Sequence, residues 1–285
     1  MEIMIHAENF SLKHTIDGGQ PLAFYADMKL EKVFEGLGYV TERGKIDVSY
    51  SKRNNIIEFG FTGDYSSKSA SEDIVKRLGI NHDMKSVYSN INTDGFMAKA
   101  ISGCYGMRVT KSSPWEATLC FLISQFNNIK RIRHIMLRMI EKFGEEREGS
   151  RLFPSSGALA SADLAYIRKC GTGFRDKYIK SVAAEFENNF DAERLYRLKY
   201  EVAKDKLMEL DGIGDKVADC ILLFGYGKFE SFPIDVWIKR VIEKEYFKGR
   251  KKSIRQIHEF SIEKWGRYRG YAQQYIYEFG RRNKV

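Results

Sequence analysis

The sequence predicts an α+β protein, with an N-terminal antiparallel β-sheet domain followed by a mainly α-helical region. Three observations predict it. Short alternating runs and turn residues fill the N-terminal third, the apolar period shifts to three and four after Ser113, and segments of helical period separated by Gly, Asp or Pro occupy the rest. The change of pattern places the boundary at 108, giving a sheet domain over 1–108 and a helical region with a cleft over 109–285.

The first clear elements are Lys45 to Tyr50 and Ile56 to Phe61, two alternating runs joined through Arg53-Asn54-Asn55, which reads as a β-hairpin. Asp17-Gly18-Gly19 is expected to turn between earlier strands, and residues 30–37 to form a helix carried on the sheet. Pro114 suits the first position of a helix whose stripe is Trp115, Leu119, Leu122, Ile123 and Phe126; Ile129, Ile132, Met136 and Ile140 extend it toward Gly144. Further helices are expected over 161–171, 176–188, 199–210, 216–225, 236–247, 253–265 and about 271–281, with no internal repeat.

Composition narrows the function classes. With 285 residues, 43% hydrophobic and 30% charged, and only 4 prolines, the chain has a core's worth of apolar residues and is not of the disordered or collagenous type. No apolar run approaches the ~18 residues that span a bilayer, and Met1 to Phe10 carries Glu2, His6 and Glu8 where a leader would be basic and then apolar. A soluble monomer is expected, cytoplasmic or nucleoid-associated, or nuclear in a eukaryote. Cys104, Cys120, Cys170 and Cys220 are too widely spaced for a CxxC pair, so neither a metal cluster nor a disulfide framework is expected. The net charge of +9 arises within 236–285, where 14 basic side chains face 5 acidic ones; such a segment attracts a polyanion such as nucleic acid.

The chemistry-bearing stretch is Leu210-Asp211-Gly212-Ile213-Gly214-Asp215-Lys216, two glycines flanking one apolar residue between two helices. Glycines permit the tight turn and leave backbone N–H groups open to a phosphate. Lys216 then falls in the first turn of the second helix, where the dipole disfavours a cation, and a neutral lysine is a nucleophile. Asp235, in Phe232-Pro233-Ile234-Asp235-Val236, stands at the start of another helix. Besides capping it, Asp235 could face Lys216 across one cleft and balance positive charge on a sugar as a base departs.

Gly212-Ile213-Gly214, Lys216, Cys220 and Pro233-Ile234-Asp235-Val236 resemble the helix-hairpin-helix, Gly/Pro-rich loop and aspartate of the DNA glycosylase superfamily, in particular the 8-oxoguanine DNA glycosylases with an added N-terminal domain. Phe153-Pro154-Ser155, Gly171 to Arg175, Asn127-Asn128-Ile129, Tyr271-Ala272-Gln273 and Gly19-Gln20-Pro21 extend the resemblance over most of 110–285 and into the N-terminal domain. It implies a bifunctional enzyme that flips 8-oxoguanine out of duplex DNA, excises it with Lys216 as nucleophile and Asp235 as electrostatic stabiliser, and cleaves the strand by β-elimination. It implies that the backbone carbonyl of Gly19 reads N7–H of the lesion, that Gln273 reads its Watson–Crick edge, and that Tyr277 and Cys220 pack on its two faces. Gly212, Ile213 and Gly214 would hold phosphate, and Arg131 and Arg175 the orphaned cytosine. No cofactor is expected beyond a structural monovalent cation that the hairpin could hold, and no catalytic metal.

The chain departs from that pattern at four positions. Trp237 replaces a His near the DNA backbone, Phe126 an Asn that fills the gap left by the flipped base, Phe174 a Tyr wedge, and Tyr277 a stacking Phe. The C-terminal four-cysteine cluster of the endonuclease III and adenine-glycosylase branches is absent from the sequence. Two other readings stay open: a helix-hairpin-helix glycosylase for another oxidised or alkylated base, which in its monofunctional forms needs no Lys216, and a non-catalytic helix-hairpin-helix DNA-binding protein, which needs neither Lys216 nor Asp235.

Overall fold

In the computed structural model, which describes residues 4–30 and 34–283, the alternating runs pair into a five-stranded antiparallel sheet of order β1-β5-β4-β3-β2. Its strands are β1 (Met4–His6), β2 (Asp27–Leu30), β3 (Phe34–Val40), β4 (Gly44–Ser51) and β5 (Ile56–Gly63), with α1 (Leu12–Asp17) between the first two. The β4–β5 hairpin forms as its alternation predicts, with Val48 opposite Phe59, and β4 turns Ile46, Val48 and Tyr50 inward.

The expected helix over 30–37 is instead the end of β2 and most of β3; the part at 31–33 lies outside the described residues. Glu35 hides the strand in the sequence, because it stands on the inner face with Leu37 and Tyr39 and so breaks the apolar alternation. Its buried carboxylate is matched by Lys52 at 2.7 Å and by the Lys13 backbone N–H. The Asp17-Gly18-Gly19 turn follows α1 and leads into a 3-10 turn at Pro21–Phe24, so it does not join strands.

Three helices complete the N-terminal part: α2 (Ser67–Arg77), α3 (Met84–Ile91) and α4 (Gly95–Gly103). Each starts on a side-chain cap, from Ser66, Asp83 and Asp94 respectively. Next come α5 (Pro114–Ser124), opened by a Ser113–Glu116 capping box, and α6 (Ile129–Phe143), then a small hairpin of β6 (Glu146–Arg147) and β7 (Ser150–Arg151). The remaining helices are α7 (Ser156–Ser161), α8 (Leu164–Ile167), α9 (Asp176–Asn188), α10 (Tyr200–Met208), α11 (Asp215–Ile221), α12 (Val236–Phe247), α13 (Ile254–Trp265) and α14 (Arg269–Asn283).

The expected stripe from Trp115 to Gly144 is interrupted. The chain breaks between α5 and α6, and Phe126 leaves the core altogether, 91% exposed with a left-handed φ of 51°. Asn128 makes the break by capping α6, accepting from the Arg131 N–H. A helical sequence period therefore ran through a loop, because Phe126 happens to fall in phase with the apolar stripe.

Contacts across residue 108 bring the N-terminal elements to the helical region. Arg77 of α2 and Glu116 of α5 form a buried ion pair at 2.5 Å, and the Phe24 ring meets Phe121 at 6.1 Å between centroids. Tyr88 and Tyr275 share a hydroxyl hydrogen bond of 3.0 Å between α3 and α14, and Gln20 is buried with Thr15, Arg108 and Thr110 as backbone partners. That last set fixes the segment that carries Gly19.

Candidate active site

A cleft of about 1340 Å³ opens between the Gly19 turn, the start of α6, and the starts of α11, α12 and the middle of α14. Lys216, Asp235, Gly19, Cys220, Gln273, Tyr277 and Phe126 all line it. Arg131, Phe174, Arg175 and the three hairpin residues are not part of its wall; they stand on the neighbouring loops.

Lys216 projects from the first turn of α11, which Gly214 starts with no side-chain cap. Its ammonium lies 5.4 Å from the Phe121 ring centroid, an apolar floor that leaves the amine facing the cleft. Cys220 is one turn further on, and burial pushes its thiol up to about 11, against the pull of nearby Lys216. The thiol is therefore neutral at physiological pH and packs as a small apolar group. Asp235 caps α12 through Oδ1, which accepts the Ile238 N–H at 2.7 Å. Asp235 itself is extended, and it lines the cleft wall beside Pro233 and Ile234.

Gly19 has φ +69°, and a Cβ there would stand 3.2 Å from the Tyr277 ring and 3.3 Å from its hydroxyl, so the position requires glycine twice over. The Tyr277 hydroxyl is pushed up to about 12, first by burial and then by Asp235, and is thus a neutral donor. Gln273 is buried, donating through Nε2 to the Pro233 carbonyl at 3.1 Å and accepting from Gln274 Nε2 at 2.6 Å. Trp237, the expected departure from a His, lines the same cleft.

The hairpin's Gly212 has φ +75° and lies under the Tyr178 ring, where a Cβ would come within 2.5 Å; Gly214 faces open space. Ile213 contributes backbone to the turn while its side chain is buried. Three loops are tied together here: Gln125 Nε2 donates to the Gly212 carbonyl at 3.1 Å, and Arg175 donates to the Gln125 carbonyl and, at 3.0 Å, to that of Thr172. Arg175 is buried, with both terminal nitrogens on backbone carbonyls and its Nε unpartnered among the described residues, whereas Arg131 is exposed and has no ion pair among them. Phe126 and Phe174, 6.3 Å apart, form an exposed aromatic pair on this rim.

Sequence reasoning missed Gln125 and Gln274. The first lay inside an assumed helix; the second had one available signal, an amide directly beside Gln273 in a segment otherwise apolar on that face. Asp215, Asp219 and His258 come together with metal-ligand chemistry, but Lys204 Nζ stands 2.8 Å from Asp215 and 3.0 Å from Asp219 and serves as their cation. Hydrogen bonds from His258 and Lys204 hold the Asp215 carboxyl well below its usual range.

Residues 119–267, just over half of the chain, match the family described as HhH-GPD superfamily base excision DNA repair protein. The chain belongs to this superfamily. Among curated members it is similar to the N-glycosylase/DNA lyase of Saccharomyces cerevisiae, 26% identical over 97% of this chain and 85% of that protein. Among solved structures it is similar to MBOgg1 in complex with a low-affinity DNA ligand, with TM-score 0.89 and 27% identity over 100% of this chain and 96% of that one. The fold is also that of the Clostridium acetobutylicum 8-oxoguanine glycosylase/lyase solved with duplex DNA carrying cytosine opposite the lesion, with TM-score 0.86 and 24% identity over 100% and 99% of the two chains. Among the described residues of this HhH-GPD protein, no helix is long and apolar enough to cross a membrane.

Proposed function

We infer that the protein is a bifunctional DNA glycosylase and abasic-site lyase that removes 8-oxoguanine from duplex DNA. The observation that carries the reading is one cleft holding an amine and a carboxylate at two helix starts, with an amide, a neutral tyrosine and a side-chain-free backbone turn around them. DNA with 8-oxoguanine is also the substrate in the name of a structural relative of the whole chain.

The lesion differs from guanine by an N7–H donor and a C8 carbonyl, so a backbone acceptor close to the ring is the economical reader, and Gly19 is open enough to supply it. The base stands between Tyr277 and Cys220 with its Watson–Crick edge toward Gln273. The amine of Lys216 attacks C1′ as the C1′–N9 bond breaks with its electron pair leaving on the base; Asp235 offsets the positive charge that develops on the sugar. One amine proton neutralises the departed base, and transfer of another to O4′ as the C1′–O4′ bond opens gives a Schiff base, whose acidified C2′ proton then leaves as the 3′ phosphate is eliminated. In this scheme residues 1–108 act as a domain that supplies Gly19, while 109–285 supplies the other groups. The hairpin at Gly212 to Gly214 holds backbone phosphate.

Borohydride trapping on a duplex with one 8-oxoguanine tests the reading. A covalent complex forms on that duplex and not on the guanine control, and Lys216→Gln binds the lesion duplex but neither traps, excises nor nicks it. Trapping of Lys216→Gln at the wild-type yield would assign the nucleophile to another amine. Equal trapping on alkylated or other oxidised bases would favour a different lesion.

A further inference from the structure

We propose that Gln274 is a specificity-determining positioning residue, which fixes the amide of Gln273 in the one orientation that accepts a guanine-type edge and refuses an adenine-type edge. The inference rests on the proposed function and deepens it.

Hydrogen-bond chemistry settles the orientations. The Pro233 carbonyl can only accept, so the Gln273 atom 3.1 Å from it must be the NH₂ group, and the atom on the other arm is Oε1. The Gln274 atom 2.6 Å from that oxygen must then be an NH₂ as well. Turning Gln273 over would set oxygen against oxygen at Pro233 and forfeit the hydrogen that Gln274 gives to Oε1, at a side chain only 4% exposed. The carboxamide nevertheless keeps capacity: Oε1 has a second lone pair and Nε2 a second hydrogen, presented in fixed order to the cleft. 8-Oxoguanine meets that order with N1–H and O6. 8-Oxoadenine, identical at its imidazole edge, presents an N1 acceptor to Oε1 and an N6 amino donor to Nε2, and fails at both.

A second observation points the same way. Gln274 is itself 4% exposed and lines the cleft, and its Oε1 has no hydrogen-bond partner among the described residues. An unpaired buried acceptor is costly until something donates to it. The 2-amino group, present on guanine and missing from adenine, is a donor of the kind this acceptor lacks.

The test compares single-turnover excision of 8-oxoguanine and 8-oxoadenine, each opposite the same base, by wild type and by Gln274→Met, which conserves volume and removes the donor. Nicking of a ready-made abasic site, which offers no base to Gln273, is the reference for folded enzyme. Wild type prefers 8-oxoguanine strongly, and the preference falls by about ten-fold or more in the variant relative to that reference, since a site built around fixed polar partners owes its selectivity to them. Gln274→Leu, which cannot donate either, shows the same loss. An unchanged preference, including one in which both excision rates and abasic nicking fall together, overturns the role of Gln274. Wild type that nicks abasic DNA yet leaves 8-oxoguanine in place overturns instead the function on which the role rests.

Discussion

Asp235 combines two tasks in one carboxylate. Oδ1 takes the Ile238 N–H and so starts α12, while the charge of the group stays at the cleft wall opposite Lys216. Asn at this position can cap but cannot balance an oxocarbenium-like sugar. Asp235→Asn is therefore expected to slow base excision by ~10²–10³ while the melting temperature barely moves, because Asn is as good a cap as Asp. Single-turnover rates and thermal melts on the same preparations separate the two roles; a large fall in melting temperature with a rate near wild type would make the residue structural. Tyr277 shows how neighbouring groups share this small space: its ring leaves no room for a side chain at Gly19, and Asp235 helps to keep its hydroxyl protonated.

Among the elements, the break between α5 and α6 and the turn before α9 carry the residues expected to face the strand opposite the lesion. Phe126 reaches out on a left-handed backbone, a conformation retained at a cost in a non-glycine residue, and Phe174 stands beside it. Stacking on rings discriminates poorly among bases, since every base has a π-face. Of the two expected cytosine readers, Arg175 is committed to the Thr172 and Gln125 carbonyls, which leaves Arg131 as the free donor. Burial and the proximity of Arg131 both disfavour the charge on Arg175, which its carbonyl partners help to hold in place. 8-Oxoguanine opposite cytosine is expected to be excised fastest, with the other three opposite bases slower but measurable, and Arg131→Ala to remove most of the difference. Excision rates against all four opposite bases check this; adenine below detection, or above cytosine, would refute it.

For the whole molecule, the packing of the N-terminal helices on α14 makes stability sensitive to acid. His82, just before α3, contacts the Tyr271 hydroxyl and packs on Phe229, and burial holds its imidazole down at about 4 against an ordinary 6.5. The folded pKa is the lower one, so as pH falls the unfolded chain gains the proton first. The stabilising effect is complete above about 6.5 and is lost progressively between there and about 4. At pH 5 the loss from this residue is about 2 kcal/mol, and His82→Gln should flatten that part of the stability curve. Urea unfolding of both proteins from pH 7 to 4.5 measures it; parallel curves would show that His82 does not carry the dependence. The charge balance changes at this scale too. Of the basic residues in 236–285, Lys239 and Lys251 pair with Glu243, Arg255 with Glu259, Lys264 with Asp94, and Arg281 and Arg282 with Glu278 and Asp17. The exposed Arg240, Lys244, Lys248 and Arg250 on and after α12 have no ion pairs among the described residues, so the attraction for polyanions is concentrated there.

The sequence alone determined what depends on local order: the alternation of the β4–β5 hairpin, the Pro114 start of α5, the Gly212-Ile213-Gly214 turn ahead of Lys216, and Asp235 at a helix start. Each is a property of a few consecutive residues, and backbone sterics and capping act at that range. Tertiary structure decided the rest. Glu35 could face inward, and 30–37 become strand, only because Lys52 and the Lys13 N–H arrive from elsewhere in the chain to match its charge. Phe126 could leave the apolar stripe only because Asn128 and the Gln125 contacts with Gly212 and Arg175 stabilise a loop in place of a continuous helix. The orientation of Gln273 depends on a carbonyl forty residues away and an amide next door, a pairing that no sequence period encodes. Buried polar groups need partners, and where those partners come from is settled by the fold.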